Sequence, residues 1–377
     1  MKSEIYFILH QPLSNYTLDR FGCDLDLDNK ITYLNILPLL NPKVNKIYDD
    51  INYKNDNFIN FNSVKSLIKF LYKKKNKFFY INSTGANIYS ILIEFIFNIQ
   101  GGIKFEMIQP SLPLGNIDYD YYKNYIRLPK SILIKKMTNK IDDSFKNFFY
   151  KLLCRKAVIS FVSNNYVFNK LNKKKLIFKI NQLDYYNFMK SSQKTIEQDY
   201  FCFIDQEQEN SFENQLYFDA YIPNYLDRIS NILRLIEKKT QLKVKIALHH
   251  RRKNIPKEFK IFDCHKNNTF EIIKNSKFVV THNSTALNYA IMSKIPIILI
   301  WLDEFGLRLS KYSTMKKLVD DLDCDLINEF QNLEQINFQK QVNESKYKKF
   351  VESHINFEKK IPLEHPWKTI DYQLGKI

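Results

Sequence analysis

The chain has 377 residues, 26% of them charged, and a formal net charge of +17 at pH 7. That length exceeds one ordinary doubly wound core and suits two units of roughly 150 to 200 residues each. Five scattered cysteines, Cys23, Cys154, Cys202, Cys264 and Cys324, form no C-x-x-C pair, which sets aside a disulfide framework and a thiolate metal module and fits a reduced, cytoplasmic protein.

The chain opens on Ile5-Tyr6-Phe7-Ile8-Leu9, which is strand-length, ends at His10-Gln11-Pro12 and does not read as a signal peptide. Ile31–Leu37, Phe78–Ile81 and Ile103–Met107 repeat the short, apolar, turn-bounded pattern of buried parallel strands. Between them Val64, Leu67, Ile68 and Leu71, then Ile88, Ile91, Leu92 and Phe95, keep the spacing of helices with an inward stripe. The run Ile88 to Ile99 is interrupted by Glu94, and Ile295 to Leu302 is short, so neither is a membrane span. This alternation predicts a three-layer α/β unit.

From Gln109 to Lys130 the pattern fails at Pro110, Pro113 and Pro129, and Tyr119, Tyr121, Tyr122 and Tyr125 mark a long loop of the functional kind. A basic helix follows, with Ile134, Met137, Ile141, Phe145, Phe148 and Leu152 set inward and Lys135, Lys136, Lys140, Lys146 and Lys151 on the remaining face. The other use of such a helix is a membrane-surface face. Strands Val158–Val162 and Leu176–Ile180 complete a first unit over residues 1–183.

Asp184 to Gln198 carry no buried-strand pattern and read as the linker to a second unit, residues 199–377. Strand Phe201–Ile204 comes first, then a helix from about Pro223 that buries Leu226, Ile229, Ile232, Leu233 and Ile236. Strand Val244–Leu248 follows, and Asn268-Thr269-Phe270-Glu271 has the spacing of a capping box. The compact βαβ run Phe278–Ile300 completes the set, and a charged helical tail begins after about Glu329, free to cross back onto the first unit. The sequence therefore predicts two Rossmann-like α/β domains.

The chemistry concentrates at strand ends. Strand Phe278–Val280 runs into Thr281-His282-Asn283-Ser284-Thr285 at the start of a short helix, where free amides and the helix dipole suit a phosphate. Strand Val244–Leu248 ends in His249-His250-Arg251-Arg252. In an open α/β sheet both ends face one crevice. His249, His250, Arg251, His282, Asn283, Ser284 and Thr285 are thus candidate phosphate contacts, with Asp205 a ribose contact or a structural cap. The plainer roles stay open: Ser284 and Thr285 as helix caps, His282 as packing. His249, Cys264, His265 and His282 match no metal module, and no metal site is expected. For proton transfer, strand-end candidates in the first unit are His10, Asp19 and Asp24, with His10 preferred.

Taken together, Lys245-Ile246-Ala247-Leu248-His249-His250-Arg251, Thr281-His282-Asn283-Ser284-Thr285 and Lys294-Ile295-Pro296-Ile297-Ile298 resemble a family of bacterial surface-polysaccharide (capsule and lipopolysaccharide) biosynthesis proteins. The His and Ser-Thr pair is similar to that of GT-B sialyltransferases and Kdo transferases, with His250 standing where that family has proline. Phe201-Cys202-Phe203-Ile204-Asp205 and Arg20-Phe21-Gly22 also resemble parts of the pattern. The resemblance implies two domains facing a cleft, a glycosyltransferase without a cofactor or metal, and a CMP-linked nonulosonic acid or Kdo donor. It further implies that His249 contacts the donor phosphate and that Ser284 and Thr285 hold it. The partners it implies are that nucleotide-sugar donor and a glycan or glycolipid acceptor. The net charge adds an anionic inner-membrane face as a peripheral contact, while no nucleic-acid module is present. The alternatives are a nucleotide-sugar epimerase on the same fold, which needs paired carboxylates in the cleft, and a catalytically idle scaffold of glycan assembly.

Overall fold

A computed structural model describes residues 3–10, 19–42, 57–73, 77–109, 144–169, 171, 175–191, 199–209, 222–302, 309–328, 333–357 and 361–377. The tyrosines expected in the long loop after Gln109, and Ile134, Met137 and Ile141 of the basic helix, lie outside the described residues.

The strands of the first sheet are β1 (Glu4–Leu9), β2 (Lys30–Asn35), β3 (Phe58–Asn60), β4 (Phe78–Asn82), β5 (Ile103–Ile108), β6 (Ile159–Val162) and β7 (Leu176–Lys179). Those of the second are β8 (Tyr200–Ile204), β9 (Lys243–Ala247), β10 (Asp263–His265), β11 (Val279–Thr281), β12 (Ile297–Trp301) and β13 (Asp325–Asn328). Their spatial orders are β3-β2-β1-β4-β5-β6-β7 and β10-β9-β8-β11-β12-β13. Neighbouring strands pair in parallel throughout the first sheet and the second. Both sheets thus start in the middle, build outward to one side, return, and build to the other. That reversal opens a crevice beyond the carboxyl ends of β1 and β4 in one sheet, and of β8 and β11 in the other.

Central strands are apolar on both faces because both are covered. Ile5, Phe7 and Leu9 of β1 enter one core cluster, while Tyr6 and Ile8 enter the opposite one with the helices Val64–Leu71 and Ile88–Ile99. The helix stripes are rotated from the expected phase. Leu67 and Leu71 are buried, but Val64 and Ile68 are exposed, and Ile91, Ile93 and Phe97 form the buried side of the second helix while Ile88 is exposed.

The segment expected to be a plain linker contains the helix Leu183–Lys190, with Asp184 buried in its first turn. The long helix Tyr225–Thr240 buries Ile229, Ile232, Leu233 and Ile236 as expected. The capping box expected at Asn268 does not form, since the Asn268 side chain makes no cap hydrogen bond to the helix Thr269–Lys274.

After β13 the chain returns. Asn164 Nδ2 donates to the His354 carbonyl at 3.1 Å, and Asn181 Nδ2 to the Pro362 carbonyl at 2.7 Å. The final helix, Pro366–Gly375, lays Trp367, Ile370 and Leu374 against Phe7, Phe21 and Ile31 on one face of the first sheet. Its Asp371 accepts from the Asp28 and Asn29 amides at 2.7 and 2.9 Å. Gly22 has a φ of +68°, and a Cβ there would stand 2.8 Å from the Trp367 ring, so only glycine fits beneath the indole.

Candidate active site

The predicted residues gather at the two crevices. His10 follows β1, and the turn Ser83-Thr84-Gly85 follows β4 beside it, pinned by Ser83 N donating to the Ile8 carbonyl at 3.0 Å. In the second sheet Asp205 follows β8, His249 to Arg252 follow β9, and His282 to Thr285 follow β11.

Asp205 organises the second crevice. Its buried carboxylate takes a two-pronged contact from Arg252, through Nε and, at 2.9 Å, through Nη2. It also accepts from the Glu207 amide at 3.0 Å and the His249 amide at 3.1 Å. Burial opposes its ionisation, but the Arg252 guanidinium and these amides prevail and hold the carboxyl below its usual range. With its oxygens committed in this way, Asp205 positions the loop rather than contacting a ribose. Arg252, next to the candidate Arg251, also donates to Glu209 Oε1 at 2.6 Å.

Glu207 was likewise not anticipated. It sits at φ +49°, a left-handed backbone that the Asp205 hydrogen bond holds in place, and its carboxylate reaches His249 Nδ1 at 3.3 Å. A carboxylate at Nδ1 fixes that nitrogen as the donor and leaves Nε2 as the functional edge of His249. The His250 ring lies alongside at 4.2 Å between centroids. Burial, then the charges of His249, Arg251, Arg20 and Lys266, push His250 down to about 2, so it stays neutral among cations.

His10, buried at the end of β1, is pushed down to about 4, by desolvation first and then by the charge of Arg251. The charge of Arg20 adds to the lowering of His250 and opposes the rise of Asp184. Asp184, buried and raised by desolvation, accepts from Asn288 Nδ2 of the helix Leu287–Met292 at 2.9 Å, which ties the connecting helix Leu183–Lys190 to the second unit.

Other candidates are corrected by their surroundings. His282 is fully buried, with Nδ1 at 2.8 Å from the Ile300 carbonyl and Nε2 at 3.0 Å from the Tyr225 hydroxyl. The carbonyl can only accept, so Nδ1 carries the proton and Nε2 receives the tyrosine hydroxyl. Both nitrogens are spent on the fold, and His282 supports the turn without reaching a phosphate. Asp19 is half-exposed, lies 3.7 Å from His365 Nε2 and accepts from Asn187 Nδ2 at 3.4 Å. The His365 bond leads the effects that lower its carboxyl, which makes it a weaker base than expected.

The expected helix-start amides are also taken. Ala286 N donates to Ser284 Oγ at 3.2 Å, and Leu287 N and Asn288 N donate to the Ser284 and Thr285 carbonyls at 3.2 and 3.1 Å. Among the described residues no acceptor faces the amides of Asn283, Ser284 and Thr285, so the donors available to an anion lie one step earlier, in the loop. Thr285 is exposed, and Ser284 Oγ holds the turn before the helix without capping it, since the helix start at Ala286 has no side-chain cap. Among the described residues no three His, Cys, Asp or Glu side chains gather as a metal-ligand set.

No protein-family model and no curated protein sequence matches the chain. Solved structures do. CalG4, the calicheamicin glycosyltransferase, aligns with a TM-score of 0.51 and 9% identity over 100% of this chain and 98% of its own. The UDP-GlcNAc 2-epimerase of Methanocaldococcus jannaschii, solved with UDP-GlcNAc and UDP, aligns at 0.44 and 15% identity over 99% and 100% of the two chains. MnaA of S. aureus, solved with UDP, aligns at 0.46 and 13% over 100% and 98%. The two parallel sheets and the CalG4 likeness define the GT-B fold, two Rossmann-like units, as expected.

Proposed function

We propose that the protein is a metal-independent glycosyltransferase that moves a sugar from a nucleotide donor to a glycan or glycolipid acceptor. The observation that carries this reading is the strand-end cluster of the second crevice, where Glu207 holds Nδ1 of His249 at 3.3 Å and leaves its Nε2 for a ligand, on the loop that Arg252 and Asp205 anchor. His249, Arg251 and the Asn283 to Thr285 amides are suited to the donor phosphate, and Arg20 adds charge from the opposite side. In an inverting transfer His10 removes the proton of the acceptor hydroxyl, whose oxygen attacks the anomeric carbon. The bond from that carbon to the phosphate oxygen breaks, and its electron pair stays on the phosphate, where the cations and amides stabilise it.

The motif resemblance favours a CMP-linked nonulosonic acid or Kdo as donor. A thermal-shift series with CMP, CDP, UMP, UDP and GDP, with and without EDTA, tests it: a selective, EDTA-insensitive rise with CMP is expected. A UDP or GDP response moves the donor, and silence toward every nucleotide rejects the transferase in favour of an idle GT-B scaffold. One observation favours a second reading, a nucleotide-sugar epimerase: Asp205, Glu207 and Glu209 bring three carboxylates to the His249 crevice. Conversion of UDP-GlcNAc to its C2 epimer in the absence of any acceptor would select it.

A further inference from the structure

Phe145, Phe148 and Leu152 were expected to face the core, and they do the reverse: they are 63%, 61% and 66% exposed on the helix over residues 144–153. At 100° per residue the three fall within about 60° of arc, a single outward stripe. What turns the helix this way lies on its other side. Tyr150 donates to Glu94 Oε1 at 2.8 Å and accepts from Lys104 Nζ at 2.5 Å, while Lys104 Nζ also meets Glu94 Oε2 at 2.5 Å. Asn82 Nδ2 completes the set at 2.6 Å from Glu94 Oε1. Glu94 is fully buried, so rotating the helix to hide its phenylalanines would withdraw Tyr150 and leave a buried carboxylate short of a partner.

The segment that carries the stripe is mainly basic, although Asp142 and Asp143 immediately precede it. Ser144 to Val158 contains Lys146, Lys151, Arg155 and Lys156 and no Asp or Glu. Lys151, Arg155 and Lys156 are exposed. Val158 and Leu176, joined by the Leu176 amide to the Val158 carbonyl at 3.1 Å, add two more exposed apolar side chains where β6 and β7 begin. A second copy of the same face would bring like charges together across a two-fold axis. An anionic surface with an apolar layer beneath it satisfies both features.

We propose that this face docks on an anionic lipid bilayer, with Phe145, Phe148 and Leu152 entering at headgroup level and Lys151, Arg155 and Lys156 meeting the lipid phosphates. The inference stands apart from the reading of the cleft. It is tested by co-sedimentation with phosphatidylcholine vesicles carrying about 30% phosphatidylglycerol, and with phosphatidylcholine alone. The protein is expected to sediment with the anionic vesicles and to be released in part by about 0.5 M salt. A Phe148→Glu, Leu152→Glu variant should bind at least about tenfold more weakly, and Lys151→Glu with Lys156→Glu should lose the preference for anionic lipid. Both variants should keep the wild-type melting temperature and nucleotide-induced shift; Leu152→Ser serves in place of the double variant should that fail to fold. Absence of sedimentation, unchanged binding by these variants, or a concentration-dependent dimer that Phe148→Glu abolishes would overturn the proposal.

Discussion

Arg252 and His249 stand three positions apart and have opposite prospects as mutants. Arg252→Ala leaves Asp205 and Glu209 without their cation in a dry site, and a loss of about 3–5 kcal/mol in unfolding free energy is expected from urea titration. His249→Ala removes a half-buried ring whose departure leaves the Asp205 to Arg252 anchor intact, so the unfolding midpoint should stay near wild type while nucleotide binding weakens. The sequence made His249 visible, because it ends an apolar strand. It did not distinguish Arg252 from Arg251, since the partner that separates their roles lies 47 positions upstream. For His282 the choice between phosphate contact and packing stayed open in the sequence for the same reason: the partners that decide it are Tyr225, 57 residues away, and Ile300.

The buried histidines also set a pH dependence. His10 and His250 are pushed from an ordinary value of 6.5 to about 4 and about 2. Below pH 6.5 the unfolded chain takes up protons that the folded chain refuses, so stability falls as pH drops. For His10 that decline ends near pH 4, and for His250 it continues further. The depressed carboxyls Asp19 and Asp205 add a loss that begins only below their usual range near 3.8. The raised carboxyls Asp184 and Glu209 act in the opposite direction, so the histidine contribution is read from a comparison: between pH 7.5 and pH 5 the melting temperature of His10→Asn should fall less, or rise more, than that of the wild type.

At the scale of elements, the final helix has the largest single consequence. Trp367 is fully buried against Phe7 and closes over Gly22, and its indole Nε1 donates to the Arg20 carbonyl at 3.0 Å. Trp367→Ala is expected to cost about 3–5 kcal/mol in chemical denaturation, and to loosen Arg20 beside the cleft. Most strands were legible because parallel strands covered on both faces are unbroken apolar runs. The edge strands β3, β10 and β13 were not, being short and partly polar: Phe58–Asn60, Asp263–His265 and Asp325–Asn328. The helix stripes were legible in period but not in phase. One polar partner decided the phase around Tyr150, and periodicity does not register a hydrogen bond to a glutamate 56 residues earlier.

At the scale of the whole molecule, two sheets are wound in the same order, each with polar groups at the strand ends beside its reversal, His10 after β1 and His249 to Arg252 after β9. The strand-end motifs foretold both crevices. The return of the chain onto the first sheet has a consequence for synthesis. All strands of the second sheet and its core lie between Tyr200 and Ile355, one uninterrupted stretch that can condense while the remaining residues are still being added. The first sheet, though made earlier, lacks the indole that fills its lower face until Trp367 leaves the ribosome. The half that is translated first thus waits for Trp367, a residue added after every strand of the second sheet.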